Sequence, residues 1–543
     1  MTTWDTLPVP VSQQLAKLYI ERDPVVVEQF YEFHPDEDWH KRVSWVDEAA
    51  HRRADRFELV KVLTQYQQKV NNHPEAIRSL ERLQDSQALV VVGGQQGGLL
   101  GGPLLVVYKA ISIIRMAQEA EQRLERPVIP VFWLAGEDHD FDEVNHTYML
   151  SSQAGIQRIR LEHSPSGRQP VSYYHVDESD WDAVIGQLEE LLPATEFKAP
   201  MLERYRMIMQ ESSSLTEACA RLLSYMFGEI GLVLLDSADE HLRALEGPLF
   251  KSIIQQQDAL QQAYAQSEQR MRAAGYPIQA DHAEESANLF VLEQGERVLL
   301  MHQEGVFADR KRTIQYSQAQ LEQLTEQHPE RFSNNVMTRP LMQEYLFPVL
   351  ATVLGAGEIA YWAQTKDAFS AIGMKMPIIW PRMAFTCVEG TLQKLLNKYE
   401  LQVEHICNQY EAKRNEWLAS QDELKLDERF AQLRGDVEHQ YAELLSVLNQ
   451  SLPTLGKLGD MNRDKVLEQI DYLHNRSQDA LKKQHESGLR QWERLKLALW
   501  PLDRPQERVF NMALYENRYG ADWYKVIMDA PVVWQGEHRL VSM

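Results

Sequence analysis

Six glycines in ten residues, Gly93-Gly94-Gln95-Gln96-Gly97-Gly98-Leu99-Leu100-Gly101-Gly102, follow directly on the apolar run Ala88-Leu89-Val90-Val91-Val92. So many glycines weaken helix and strand alike, so the stretch reads as a turn where backbone approaches something closely. The run before it is short, Val-rich and stopped by turn residues, as in a strand buried on both faces. After it, Leu104 to Ala120 carries apolar residues at helical spacing, and Pro127 to Ala135 is a second buried-strand candidate. Strand, glycine loop, helix, strand is a βαβ unit, which implies an open parallel sheet of Rossmann-like α/β type.

The rest of the chain extends this plan. A helix is expected over Asp47 to Val70. A hairpin is expected from Arg158–Glu162 and Val171–Val176 around Ser164-Pro165-Ser166-Gly167. Helices follow from about Met201 to Ile230, and a third core strand from Gly231 to Asp236. Asn288–Leu292 and Arg297–His302 bracket Gln294-Gly295 as another hairpin, and Pro340 to Met383 is apolar again. Residues 1–384 thus read as a core with inserted segments at about 151–230 and 265–335. From 385 to 500 glycine is scarce, and Val403, Ile406, Tyr410, Trp417 and then Val466, Ile470, Leu473, Leu481, Trp492, Leu495 and Leu499 keep to helical faces. Pro453, Gly456 and Gly459 break the pattern, so an antiparallel coiled-coil hairpin is predicted. Residues 501–543 turn aromatic and are expected to return to the core.

Bulk chemistry narrows the function. With 79 acidic and 56 basic residues the formal charge is -23, which disfavours nucleic acid and anionic lipid as partners. Three cysteines, no leader-like start and no long apolar run point to a reduced cytoplasm.

Four clusters are candidates for chemistry. In the glycine loop, Gly94, Gln95, Gln96, Gly97, Gly101, Gly102 and Pro103 offer backbone donors before a helix, with Lys109 about two turns on; this is neither a dinucleotide fingerprint nor a P-loop. A tight crossover that binds nothing is the alternative. Glu137-Asp138-His139-Asp140-Phe141-Asp142-Glu143 follows the second strand. Its carboxylates can hold an amine or magnesium and its His can move protons, or the cluster is an acidic helix start. The spacing of His139 and His146 matches no zinc site. Arg339 and the Gly355-Ala356-Gly357-Glu358-Ile359-Ala360-Tyr361-Trp362 turn can bind a substrate, or simply begin a helix packed by Tyr361 and Trp362. Lys375 can meet a phosphate or be a solvated charge. Asp236 and Asp239 divide evenly between turn and ligand contacts, and Gln506-Glu507-Arg508 reads as a structural tie.

The run Val91 to Leu104 with Tyr108-Lys109-Ala110-Ile111 resembles the signature of the bacillithiol biosynthesis cysteine-adding enzymes, as does Pro130 to Glu143. Arg339-Pro340 through Gln343-Glu344-Tyr345, Gly357 to Trp362, Gly373 to Pro377 and Gln506-Glu507-Arg508 match in order, so the resemblance spans nearly the whole chain. Gly93 and Gly101 depart from it, standing where many relatives carry Thr. The resemblance implies a nucleotidyltransferase core like that of class I aminoacyl-tRNA synthetases, with connecting insertions and a coiled coil that dimerises. It implies joining of the L-cysteine carboxyl to the amine of glucosaminyl-malate. Activation of that carboxyl calls for ATP or an ADP-type nucleotide, with magnesium accompanying it and no structural zinc. The catalytic candidates are then His139, Asp138, Asp140 and Lys109, with Arg339 and Arg382 as candidates for the basic pocket that malate needs. Two alternatives stand beside this reading: another ATP-dependent amino acid–amine ligase, and a dimeric nucleotide-binding scaffold.

Overall fold

The computed structural model describes residues 4–11, 13–151, 155–163, 167–280, 285–422, 424–532 and 536–543. Side chains of a strand alternate between faces, and here both faces are apolar. Leu89, Val91, Phe132, Leu134, Leu234, Ile378 and Trp380 enter one buried cluster, while Val90, Val92, Ile129, Val131, Trp133, Leu235 and Ile379 enter another. The strands are β1 (Leu89–Gln95), β2 (Val128–Leu134), β3 (Val233–Asp236), β4 (Val349–Leu354) and β5 (Ile378–Pro381). They lie in the order β5-β4-β1-β2-β3, every pair parallel. This is a Rossmann-like sheet, and the strand order reverses between β1 and β4, where such folds open a crevice at the carboxyl edge.

Helix α1 (Leu104–Leu124) returns the chain from β1 to β2 with thirteen buried residues. α2 (Glu240–Gln255), α3 (Arg339–Leu346) and α4 (Ala356–Trp362) follow β3, precede β4 and follow β4. Between β2 and β3 the hairpin is His146–Ser151 with Gly155–Arg160, one element earlier than predicted. Val171–Tyr173 is instead a single 3-10 turn, because Val171 N–H and Ser172 N–H bond back to Asp138 and Gly136 carbonyls. Ser164–Ser166 of the expected turn lie outside the described residues. The expected helix from Asp47 to Val70 is two helices, Trp39–Glu48 and Arg56–Lys69. Asp55 accepts the Phe57 and Glu58 N–H groups, each at 3.0 Å, and so starts a new helix. Between β3 and β4 lies an antiparallel sheet that contains the predicted hairpin as Ser286–Glu293 and Glu296–Gln303, with Phe332–Asn334 on its edge.

The chain forms two compact units, Met1–Val388 with Arg504–Met543, and Glu389–Asp503. In the first, Trp4–Leu7, His538–Ser542 and Ala384–Val388 pair as a small sheet. In the second, α5 (Leu426–Ser451) and α6 (Gly456–Gln484) run antiparallel, with Asp427 to His474 at 2.6 Å, Arg434 to Asp471 and Tyr441 to Asn462 at 2.6 Å. Trp492 packs among Tyr399, Tyr410 and Trp417. Leu473 does not join the seam as its spacing implied: it is 56% exposed, while Leu467 is buried.

The glycine loop is held by packing. A Cβ on Gly97 would stand 2.8 Å from Thr216 Cα, and Gly101 sits at φ +82° against Met512. Asn511 Nδ2 donates to the Leu100 and Gly102 carbonyls at 2.9 and 2.7 Å. Gly97→Ala must therefore push backbone apart. It is expected to destabilise by about 1–3 kcal/mol, read as a lowered thermal midpoint.

Candidate active site

At the reversal between β1 and β4, Lys109 points inward from α1. Its ammonium donates to the Gly94 carbonyl at 2.6 Å, to Gln95 Oε1 at 3.2 Å and to Glu358 Oε2 at 2.6 Å. Burial lowers the Lys109 pKa, opposed by Glu358. For Glu358 burial pushes up, but Lys109 and the Gly355 N–H, at 2.8 Å, carry the carboxyl below its usual range. Arg339 Nη2 donates to Tyr361 Oη at 2.8 Å alongside. Burial opposes the Arg339 charge, yet Tyr361 and Glu358 hold it above the ordinary value. Gln343 Oε1 and Thr352 Oγ1, on the wall of a small void shared with Gly94, Arg339 and Glu358, have no hydrogen-bond partner among the described residues. Unpartnered buried polar atoms of this kind are costly unless something completes them.

Beyond β2, Glu137 is buried and fixed: it accepts from Arg243 Nη2 and from Asn334 N–H, both at 3.0 Å. Asp138 Oδ2 accepts from Gln96 at 2.6 Å and its Oδ1 from the His139 N–H at 2.7 Å. Burial raises the Asp138 pKa, but Arg297 and Gln96 bring it below the usual value, so it is charged. Arg297 Nη1 lies 3.2 Å from His139 Nδ1. A guanidinium only donates, so Nδ1 accepts and the neutral ring carries its proton on Nε2. Burial and then the Arg297 charge lower the His139 pKa beneath its ordinary 6.5.

Two family models match the chain: "Bacillithiol biosynthesis BshC, N-terminal Rossmann-like domain" over residues 2–383, and "Bacillithiol biosynthesis BshC, C-terminal coiled-coil domain" over residues 385–543. The chain belongs to the BshC family. Relatives bearing the name "Putative cysteine ligase BshC" include one from Bacillus cytotoxicus, 35% identical over 493 residues, covering 91% of each chain. Another, from Geobacillus sp., is 36% identical over 499 residues, covering 91% of this chain and 92% of the relative. The Bacillus anthracis relative is 34% identical over 499 residues, covering 92% and 93%. Family membership accounts for the Rossmann-like sheet and the helical hairpin together.

The carboxyl edge of this BshC-family core thus gathers Gly94, Gln95, Gln96, Lys109, Glu137, Asp138, His139, Arg339, Glu358 and Tyr361. Gly357 is exposed on the first turn of α4. The remaining candidates have other partners. Lys375 precedes β5 and so stands at the opposite, amino edge, where it pairs with Glu32 at 3.2 Å. Asp140 caps the short helix Phe141–Val144 by accepting from Glu143 N–H at 3.3 Å. Trp362 is core against Phe369. Gly101, Gly102 and Pro103 face the C-terminal segment, and the Leu104 N–H bonds to the Phe510 carbonyl at 2.8 Å, taking one donor of the α1 start. Arg382 is bound to Glu507 at 2.9 and 2.5 Å, so neither belongs to a basic pocket and Glu507 makes the structural tie expected of it. Asp236 accepts from Ala238 N–H at 2.9 Å and Asp239 caps α2, so both make turn contacts.

Sequence reasoning missed Arg297, Arg243 and Arg504, and read Arg508 only as part of a structural tie. The hairpin that carries Arg297 was legible, but not the side of the sheet it meets. Arg504 and Arg508 line a cleft of about 350 Å³ with Gln95, Gln96, Gly98 and Gly102. Lys109→Met leaves Glu358 without its counter-charge and is expected to cost about 3 kcal/mol. Adding Glu358→Gln should recover part of that, measured as denaturant midpoints.

Proposed function

We propose that this protein is a cysteine ligase acting in the cytoplasm: it joins the carboxyl of L-cysteine to the amine of glucosaminyl-malate after ATP activates that carboxyl. The observation that carries this reading is the charged Asp138 beside a neutral His139 at the carboxyl edge of a Rossmann-like sheet, next to the Lys109–Glu358–Arg339 cluster, in a chain of the BshC family. ATP supplies the leaving group that a free carboxylate lacks. Arg504 and Arg508 offer cationic donors that suit its phosphates; magnesium would travel with those phosphates. Asp138 holds the cysteine ammonium by charge. Lys109 keeps the β1 end fixed through Gly94 and Gln95.

His139 is better arranged to donate than to accept. With Nδ1 against Arg297, its Nε2–H can bond to oxygen that gains negative charge as the amine attacks. To accept a proton it would first have to leave Arg297. Bacillithiol formation from L-cysteine, glucosaminyl-malate, ATP and magnesium, followed by mass spectrometry, tests the function; absence of product from folded, reduced protein would refute it. His139→Ala should slow amide formation about 100-fold while nucleotide affinity changes little. His139→Gln, which keeps a donor, should lose less; equal loss would assign proton abstraction instead. Protonation would place a second N–H on Nδ1 against the Arg297 guanidinium and push the ring out of position, so activity should fall only as pH drops below 6.5, and Arg297→Met should move that limb upward.

A second part of the proposal is a homodimer formed through the helical hairpin. Val447, Leu458 and Met461 are 61%, 61% and 53% exposed, on helices whose own pairing leaves them uncovered. Exposed apolar stripes of this kind mark partner surfaces. Leu458→Glu with Met461→Glu should give monomers by sedimentation; an unchanged mass would place the contact elsewhere.

A further inference from the structure

A cleft of about 1000 Å³ opens from His139 along the antiparallel sheet. One side is Phe290 and Arg297, the arginine stacked 3.8 Å over the ring. Arg168, Arg310 and Lys311 also line it. Arg310 and Lys311 are presented by a loop that Asp309 orders: its carboxylate accepts from Ile314 N–H at 2.8 Å, Thr313 Oγ1 at 3.0 Å and Lys311 N–H at 3.2 Å. Arg168 is positioned by its backbone, whose carbonyl accepts from Arg297 N–H at 2.8 Å.

The charges do not cancel. Among the described residues no carboxylate pairs with Arg168, Arg310 or Lys311, whereas Glu293 on the same wall is taken by Arg331 and Tyr316, and Asp309 by its own loop. Glu296 is the remaining carboxylate. Three uncommitted cations around one cleft, in a chain of net charge -23, are kept together against their mutual repulsion. An anion with more than one negative oxygen relieves that repulsion and takes charge-assisted hydrogen bonds from them.

We propose that this cleft is the dicarboxylate subsite for the acceptor: Arg168, Arg310 and Lys311 grip its two carboxylates while its amine reaches the His139 end. The assignment rests on the acceptor named under the proposed function. It replaces Arg339 and Arg382, which are held by Tyr361 and Glu507. Arg310 and Lys311 therefore select between acceptors and take no part in carboxyl activation.

Isothermal titration of glucosaminyl-malate into the wild type and into Arg310→Ala/Lys311→Ala tests the subsite without requiring turnover. The dissociation constant is expected to rise about tenfold or more in the variant, and to rise with salt in the wild type. In steady state the ratio of kcat/KM for glucosaminyl-malate over neutral methyl glucosaminide should fall by about the same factor. Unchanged acceptor affinity in the folded variant overturns the proposal, as does a rise in KM confined to ATP, which would give the cleft to nucleotide phosphates. Lost ligase activity with intact, variant-sensitive acceptor binding would count against the ligase reading and leave the subsite standing. Arg168→Ala is the second variant, on a different segment, and should weaken the same binding.

Discussion

The Lys109–Glu358 pair is the interaction on which the active edge depends. The chain leaves β1 and β4 in opposite topological directions, so the two turns have no shared covalent frame. Lys109 crosses that gap to the Gly94 carbonyl on one side and to Glu358 on the other. Its charge is buried, so it needs each of these acceptors. Glu358 in turn fixes the first turn of α4 through Gly355 and faces Arg339 and Tyr361. The geometry of the crevice is an electrostatic consequence of one ammonium with no access to water.

A second buried pair does the same for the far end of the site. Glu137 at the end of β2 receives Arg243 from α2 and the Asn334 backbone from the antiparallel sheet. That sheet is thereby held against the core, and Arg297 comes to rest on His139. Neither pair is a simple stabiliser. Buried ions gain little over apolar packing, but removing one partner is expensive, so they define position more than they add stability.

Much of this was readable in the residues. Short apolar runs bounded by glycine or acidic residues marked three of the five core strands, and the order of motifs pointed to the family. The motifs also marked Gly94, Lys109, His139 and Glu358, which the fold brings to one edge. What escaped was long-range. Nothing local distinguishes Lys375, at the amino edge, from a lysine at the carboxyl edge, because the edge depends on where β5 begins. Arg297 sits in an ordinary hairpin, and its meaning comes from docking. Leu473 kept helical spacing, yet it faces away from the pairing of α5 and α6, and Leu467 is the buried leucine of that helix. The glycine loop looked like a ligand cradle, whereas several of its glycines are explained by Thr216, Met512 and Asn511.

The small sheet formed by Trp4–Leu7, His538–Ser542 and Ala384–Val388 makes the helical unit an insertion into a core that is completed by the last residues of the chain. Phe510, Asn511 and Met512, which close the glycine loop and the start of α1, are made after the rest of that loop's surroundings. During synthesis the sheet can assemble early, but its active edge stays unfinished until the C-terminal segment arrives. A chain stopped short of residue 510 would hold the candidate catalytic residues but lack the Asn511 bonds that close the turn at Leu100 and Gly102.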